Sequence, residues 1–257
     1  MTATPADVIG RWLPFRAMAG PGAFPLFCLP HAGGGASAYR SWLGKLPGVA
    51  VLPVQPPGRE GRFREPPFKR MGSLVNDLAN VVTSSLAGTS GPYAVYGHSL
   101  GALVAFELLR ELRRRGDPEP VHLFVSGCVA PHCPFDDGPP IRNMELPELV
   151  ATLRKLGGTP EWLLSDPSVL EMIVPAIRAD FSVKETNVYR PEPPLDVPIT
   201  ALPATDDPRA SEELVGRWCE QTTGEFEQHT LMGGHFAVFE QASLTHKYIS
   251  EALRRWV

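Results

Sequence analysis

Apolar residues along this chain fall in short runs separated by stretches of helical period. FPLFCLP (24–30), VAVLPVQ (49–55), YAVYGH (93–98), VHLFVSGC (121–128) and VPITALPAT (197–205) are largely apolar over strand length, the pattern of strands buried on both faces. FEQHTLMG (226–233) alternates more than it runs and predicts a weaker strand. Between these runs, residues 72–87, 100–115, 210–222 and 242–256 place apolar side chains at helical spacing. Strands alternating with helices predict an α/β fold on a mostly parallel sheet, with helices on both faces.

The alternation stops between about residues 131 and 194. The segment opens with APHCPFDDGPP, closes with YRPEPPLDVP, and holds helical patterns and no convincing strand between them. A small separate helical domain is one reading. A helical insertion between two sheet strands is preferred, because strand-like sequence resumes at Val197 and the sheet would be incomplete without it. The expectation is one domain over 1–257 with a helical insertion at about 131–194.

Length and charge then exclude classes. The chain has 257 residues, ample for one α/β domain with a sizeable core. Its net charge of −4 gives no basic field for nucleic acid. Four scattered cysteines (Cys28, Cys128, Cys133, Cys219) form no CxxC pair, so no zinc site is expected. The start, MTATPADVIGRWLPF, has no basic segment followed by an apolar core, and no apolar run reaches the roughly 20 residues of a membrane span. A cytoplasmic protein with no membrane partner is expected.

The sequence Gly97-His98-Ser99-Leu100-Gly101 stands where a predicted strand turns into a predicted helix. That is the G-x-S-x-G nucleophile elbow in its strand–turn–helix context. Side chains two residues before and after the serine would collide with neighbouring backbone, which glycine avoids. The helix from Leu100 points its positive end at the serine oxygen and at any oxyanion formed there. A serine nucleophile needs a base, and five histidines follow it: His122, His132, His229, His235 and His246. Only His235 lies in a glycine-opened loop (MGGHFAVFE) after the last strand and before the last helix, where it could reach across the sheet edge. The orienting acid should follow the preceding strand, at Asp206 or Asp207; spacing alone does not separate them. The other could cap the next helix, as could Ser211. Of the two backbone donors an oxyanion hole needs, one would be Leu100. The other should come from LPHAGGGASAY (29–39). A phosphate-binding loop is the alternative for that stretch, but it has neither a Gly-Lys-Ser/Thr ending nor the G-x-G-x-x-G spacing.

Taken together, LPHAGGGASAY, QPPGREGRFREPPF, YGHSLGALVAFEL, IRADFSVKETNVYRPEPPLDVPITAL, DDP and GGHFAVFE resemble the type II thioesterases. These are stand-alone α/β-hydrolases that accompany modular polyketide and non-ribosomal peptide synthases. The resemblance runs from about Leu29 to Glu240 with the motifs in the family's order. It implies hydrolysis of acyl groups from the phosphopantetheine arm of acyl or peptidyl carrier proteins. Ser99 would be the nucleophile, His235 the base, Asp207 the acid, and Ala32 and Leu100 the oxyanion donors. No cofactor or metal would be needed, the insertion would be the lid, and the protein would act as a monomer. The family often has glycine and aspartate where this chain has Ala204 and Thr205. That departure removes one acidic residue and leaves Asp207 in register.

Three readings compete. They are a serine esterase for small diffusible esters, a non-catalytic binding protein on the same scaffold, and an acyl transferase using an acceptor other than water. One surface reading is added. Residues 58–70, GREGRFREPPFKR, carry five basic side chains (Arg59, Arg62, Arg64, Lys69, Arg70) against two acidic ones (Glu60, Glu65). The expectation is a docking patch for an acidic carrier protein; the alternative is a loop whose arginines pair with the neighbouring glutamates.

Overall fold

The computed structural model describes residues 4–18, 20, 22–87, 91–134 and 139–257. Six parallel strands form one sheet: β1 (Phe24–Leu29), β2 (Val49–Pro53), β3 (Ala94–His98), β4 (His122–Ser126), β5 (Ile199–Leu202) and β6 (Phe226–Gln228). Their order is β2-β1-β3-β4-β5-β6. All six apolar runs read from the sequence are therefore strands of this sheet, and β2, β3, β4 and β5 are buried at every position.

Helices cover both faces. On one side lie α1 (Pro5–Trp12), α2 (Met71–Leu86) and α3 (Leu100–Arg115), over a core that includes Leu78, Leu103, Leu108, Phe27, Val95 and Trp218. On the other lie α8 (Ala242–Leu253) and a 3-10 turn at 36–42, which bring Ile249, Leu253, Tyr39 and Trp42 against Leu26, Tyr96 and Phe124. Helix α3 ends where Gly116 takes a left-handed conformation, with Arg113, Arg114 and Arg115 in its last turn facing the negative end of the dipole.

The insertion between β4 and β5 is helical, as expected. It contains a 3-10 turn at 141–143, α4 (Leu146–Leu156), α5 (Glu161–Ser165) and α6 (Pro167–Glu185). Its side chains build a small core of their own around Leu149, Leu153, Leu164, Leu170, Ile177 and Phe181, and that core also touches Ala32. Residues 135–138 of the segment lie outside the described residues.

Three elements depart from expectation. The strand expected at 226–233 stops at Gln228. Pro203 on β5's side has no N–H to donate, so only scattered bonds continue beyond it, such as the Leu231 N–H to the Pro203 carbonyl (2.9 Å). The helix expected at 210–222 is split into α7 (Glu212–Gly216), whose first turn Ser211 caps, and a 3-10 turn at 217–221. Helix α1 was not expected. Its signal is Thr4-Pro5-Ala6-Asp7, a capping box in which the Asp7 N–H donates to Thr4 Oγ1 (3.2 Å) and the Thr4 N–H donates to Asp7 (3.0 Å).

The tightest packing in the sheet lies where β3 becomes α3. A Cβ on Gly97 would lie 2.6 Å from Ala102 Cα, and one on Gly101 would lie 2.7 and 2.8 Å from the Leu29 carbonyl carbon and the Pro30 oxygen. Both obstacles are backbone, which cannot rotate away. Gly101→Ala is therefore expected to cost about 3 kcal/mol or more, at the top of the overpacking range. A urea unfolding midpoint equal to that of the wild type would show that α3 does not pack this closely in solution.

Candidate active site

In a parallel sheet every strand delivers its following loop to the same edge, and four loops meet at that edge here. Ser99 follows β3, the loop at 31–35 follows β1, Asp207 follows β5 and His235 follows β6. Ser99 has φ 56° and ψ −119°, a left-handed backbone that no unstrained serine prefers. Its N–H donates to the Ser126 carbonyl on the end of β4 (2.8 Å), which fixes the turn from the neighbouring strand.

His235 stands just beyond Gly233, whose φ of 108° turns the chain toward the serine. Its Nε2 lies 3.0 Å from Ser99 Oγ and its Nδ1 lies 2.7 Å from Asp207 Oδ2. A carboxylate only accepts, so Nδ1 carries the ring proton and donates it to Asp207, and Nε2 is left to accept the serine hydroxyl. Asp207 is completely enclosed, and its Oδ1 accepts the Arg209 N–H (2.9 Å). Asp206, one residue away, is exposed. The structure thus brings Asp207, and not Asp206, to the imidazole.

Ala32 and Leu100 border the same cleft as Ser99 and His235, an open space of about 480 Å³. Neither backbone N–H donates to a protein acceptor among the described residues. The insertion supplies the facing wall through Leu153, Leu156, Thr159 and Phe181. Within the insertion, Leu153 and Phe181 reach the cleft. Leu149 and Leu170 are in the insertion's own core, Ile173 packs against it, and Leu163 is half-buried away from the cleft wall.

Two further histidines surround His235. The His98 ring sits 5.0 Å from the His235 ring and shares a hydrogen bond with Ser126 Oγ (2.9 Å). His31 packs edge-on against Phe236. Burial holds the His98 pKa well below 6.5 and brings that of His31 down to about 4, with the neighbouring His235 adding to both shifts. Both are neutral near pH 7, so neither places a positive charge beside the His235 ring. Space for the crowded rings comes from Gly127, whose added Cβ would lie 2.6 Å from His98 and 3.0 Å from His235. Neither Gly127 nor the role of His98 was read from the sequence; a glycine directly after β4 was the available signal.

The basic loop is not the surface its charge suggested. Arg59 and Arg62 are both buried. Arg59 is ion-paired with Asp180 of α6. Arg62 pairs with Glu65, donates to the Gln55 carbonyl (3.0 Å) and lies over the Trp12 ring. Glu65 also binds Arg11. Of the five basic side chains only Arg64, Lys69 and Arg70 face solvent, so the loop offers three cations to a partner and not the five its sequence suggested. Two of its charges are structural, and pairing with neighbouring glutamates accounts for one of them.

A parallel sheet with the serine on the turn after a central strand, and the aspartate and histidine on later loops, defines an α/β-hydrolase. A family described as "Thioesterase domain" matches residues 24–252. The chain is 36% identical over 251 residues to linear gramicidin dehydrogenase LgrE of Brevibacillus parabrevis, covering 96% of this chain and 94% of that protein. It is 37% identical over 243 residues to thioesterase PikA5 of Streptomyces venezuelae, covering 94% and 85%. BorB, the type II thioesterase from the borrelidin biosynthetic cluster, superposes with a TM-score of 0.84 at 38% identity, over 98% of this chain and 100% of that one. The chain belongs to the thioesterase family. The first relative's name denotes a redox enzyme, and it is not carried over. A dinucleotide site of the usual kind needs a helix N-terminus directly after the first strand, and β1 here leads through its loop into a 3-10 turn.

Four partly or fully desolvated histidines lower stability in acid. His31 and His122 are held at about 4, and His98 and His246 are shifted the same way, in each case chiefly by desolvation. Their folded pKa values lie below the unfolded value of 6.5. Between pH 6.5 and 4 the unfolded chain therefore takes up protons that the folded chain refuses, and stability falls as pH falls. Thermal melts should show Tm dropping across this interval, with a shallower slope in His122→Gln. A Tm independent of pH from 6.5 to 4 would contradict this assignment.

Proposed function

We propose that this thioesterase hydrolyses acyl groups from the phosphopantetheine arm of acyl or peptidyl carrier proteins, through an acyl intermediate on Ser99. The observation that carries the reading is the hydrogen-bonded line Ser99–His235–Asp207 opening into a cleft with an apolar helical wall. In this reading the insertion is a lid over that cleft. The type II thioesterases among its solved relatives, from biosynthetic clusters that build polyketides and non-ribosomal peptides, support carrier-bound substrates and an editing role.

The steps follow from the geometry. Ser99 Oγ attacks the thioester carbonyl as His235 Nε2 takes its proton. Asp207 holds Nδ1–H and stabilises the imidazolium. The carbonyl oxygen becomes an anion, and the N–H groups of Ala32 and Leu100, with the N-terminus of α3 behind Leu100, are the donors that receive it. The pantetheine thiolate leaves with the proton from His235. Water then attacks acyl-Ser99 as its proton passes to the same nitrogen, the bond from the acyl carbon to Ser99 Oγ breaks as that nitrogen returns the proton to Oγ, and the free acid departs.

Several acyl-carrier proteins incubated with the enzyme should lose their acyl group, read by intact-mass spectrometry. Folded Ser99→Ala should lose about 10⁴-fold or more in rate. Rapid turnover of p-nitrophenyl esters with untouched acyl-carrier proteins would instead identify an esterase for diffusible substrates, and an amide or ester product would identify transfer.

The two aspartates give a sharper test of the proposed acid. Asp207→Asn, by reversing the imidazole tautomer, should lower kcat by about 10⁴, whereas exposed Asp206→Asn should stay within about threefold of the wild type. A larger loss at Asp206 would place the orienting carboxylate one residue earlier.

A further inference from the structure

Helix α6 reaches across from the insertion and binds the loop after β1 by a buried polar contact that the proposed mechanism does not use. Asp180 Oδ2 accepts the Gly33 N–H (2.7 Å). The same carboxylate is held by both ends of the Arg59 guanidinium, Nη2 donating to Oδ1 at 2.9 Å and Nη1 to Oδ2. Arg59 Nη1 also donates to the Gly34 carbonyl (3.2 Å). Asp180 and Arg59 are each under a tenth exposed. The approach is close enough to dictate the residue. Gly33 has φ 79°, and a Cβ there would lie 2.8 Å from Ile177 Cγ1 of the same helix.

The Gly33 bond falls on one of the two peptide planes that flank Ala32. The His31 carbonyl accepts the Gly34 N–H (2.9 Å), and because a trans peptide points its C=O and N–H in opposite directions, the Ala32 N–H must face away from that turn. The second plane, Ala32–Gly33, is fixed at its N–H by Asp180. One of the two constraints therefore belongs to the loop itself, and the other is supplied by the insertion. Loop 55–60 grips the next residues: Gln55 Oε1 accepts the Ala36 N–H (2.9 Å), and Ser37 Oγ donates to Glu60 (2.6 Å).

We propose that Asp180, seated by Arg59, is a positioning residue for the oxyanion donor at Ala32, so that α6 is part of the transition-state machinery as well as a wall of the cleft. The proposal rests on the serine mechanism above. Its physical content is that an oxyanion donor contributes only when aimed at the anion, and a glycine-rich loop released from Asp180 samples other peptide orientations.

The test compares two neutral pairs. Arg59→Gln/Asp180→Asn removes both charges and keeps a carbonyl acceptor for Gly33. Arg59→Gln/Asp180→Ala removes that acceptor as well. On S-hexanoyl-N-acetylcysteamine the second should show kcat about 10- to 100-fold below the first, with KM within about threefold. Affinity for 1,1,1-trifluoro-2-octanone, which forms an oxyanion only when Ser99 adds to it, should weaken in parallel with kcat. Equal kcat in the two variants, or a loss confined to KM, would overturn the proposal. If the alanine variant fails to fold, Arg59→Met/Asp180→Leu fills the space with apolar groups, lacks the acceptor, and carries the same comparison. A wild-type protein that hydrolyses no thioester would overturn the proposed function instead. Amide exchange at Gly33, slow in the wild type and fast only in variants without the acceptor, would then decide the positioning by itself.

Discussion

The close approach of α3 to the strands beneath it is the constraint on which the rest of the site depends. A serine at φ 56° is strained by an amount on the order of 1–3 kcal/mol. The strain persists because the chain on both sides is immobile. Before it, Gly97 lies against the backbone of Gly101 and Ala102; after it, Gly101 lies against the carbonyls of Leu29 and Pro30. Ser99 is thereby forced out above the carboxyl edge of β3 with its N–H tied to β4. The same contact draws the end of β1 toward the first turn of α3. The loop carrying Ala32 and the N–H of Leu100 consequently border one cleft.

The proton path is protected by a different means. Three imidazoles share a small volume, and a charge on either neighbour would oppose the charge that His235 must acquire. Desolvation prevents that more effectively than distance would. His98 is completely buried, with one ring nitrogen on Ser126 Oγ and the other without a protein partner among the described residues. His31 is half-buried and packs edge-on against the rings of Phe236 and Phe239. Asp207 is then the one negative side chain hydrogen-bonded to the His235 ring among the described residues, and it is on the nitrogen away from the serine.

Much of the fold was legible because strands covered on both faces must be apolar at nearly every position, and the serine turn because glycine spacing there reports backbone contact. The histidine was legible from the loop it occupies. What was not legible depended on partners remote in sequence. Arg59 looked like a surface cation beside Glu60, but its carboxylate is Asp180, 121 residues further along. Local charge counting cannot see such a pair. Asp206 and Asp207 have the same chemistry and adjacent positions; only the direction of the chain after β5 separates an enclosed carboxylate from a solvated one. The short α1 escaped notice because its apolar face is narrow, although its capping box and first-turn proline are plain.

The Arg59–Asp180 pair also shows why burial of charge should not be read as a device for stability. Removing two ions from water costs several kcal/mol each, and replacing such pairs by apolar residues is often neutral or stabilising. What an apolar replacement cannot supply is a carboxylate oxygen for the Gly33 N–H and a guanidinium for the Gly34 carbonyl. The pair therefore makes sense as a means of fixing backbone direction. Its placement adds a second consequence. One partner belongs to the insertion and the other to the loop after β2, so docking of α6 brings the Gly33 N–H its acceptor. An insertion lifted from the cleft would leave Ser99, His235 and Asp207 in line, because their bonds run entirely through the sheet and its own loops, and would withdraw the facing wall together with the Asp180 bond to Gly33. On the proposed mechanism the serine, histidine and aspartate stand in line without the insertion, and α6 acts on the loop that carries the second oxyanion donor.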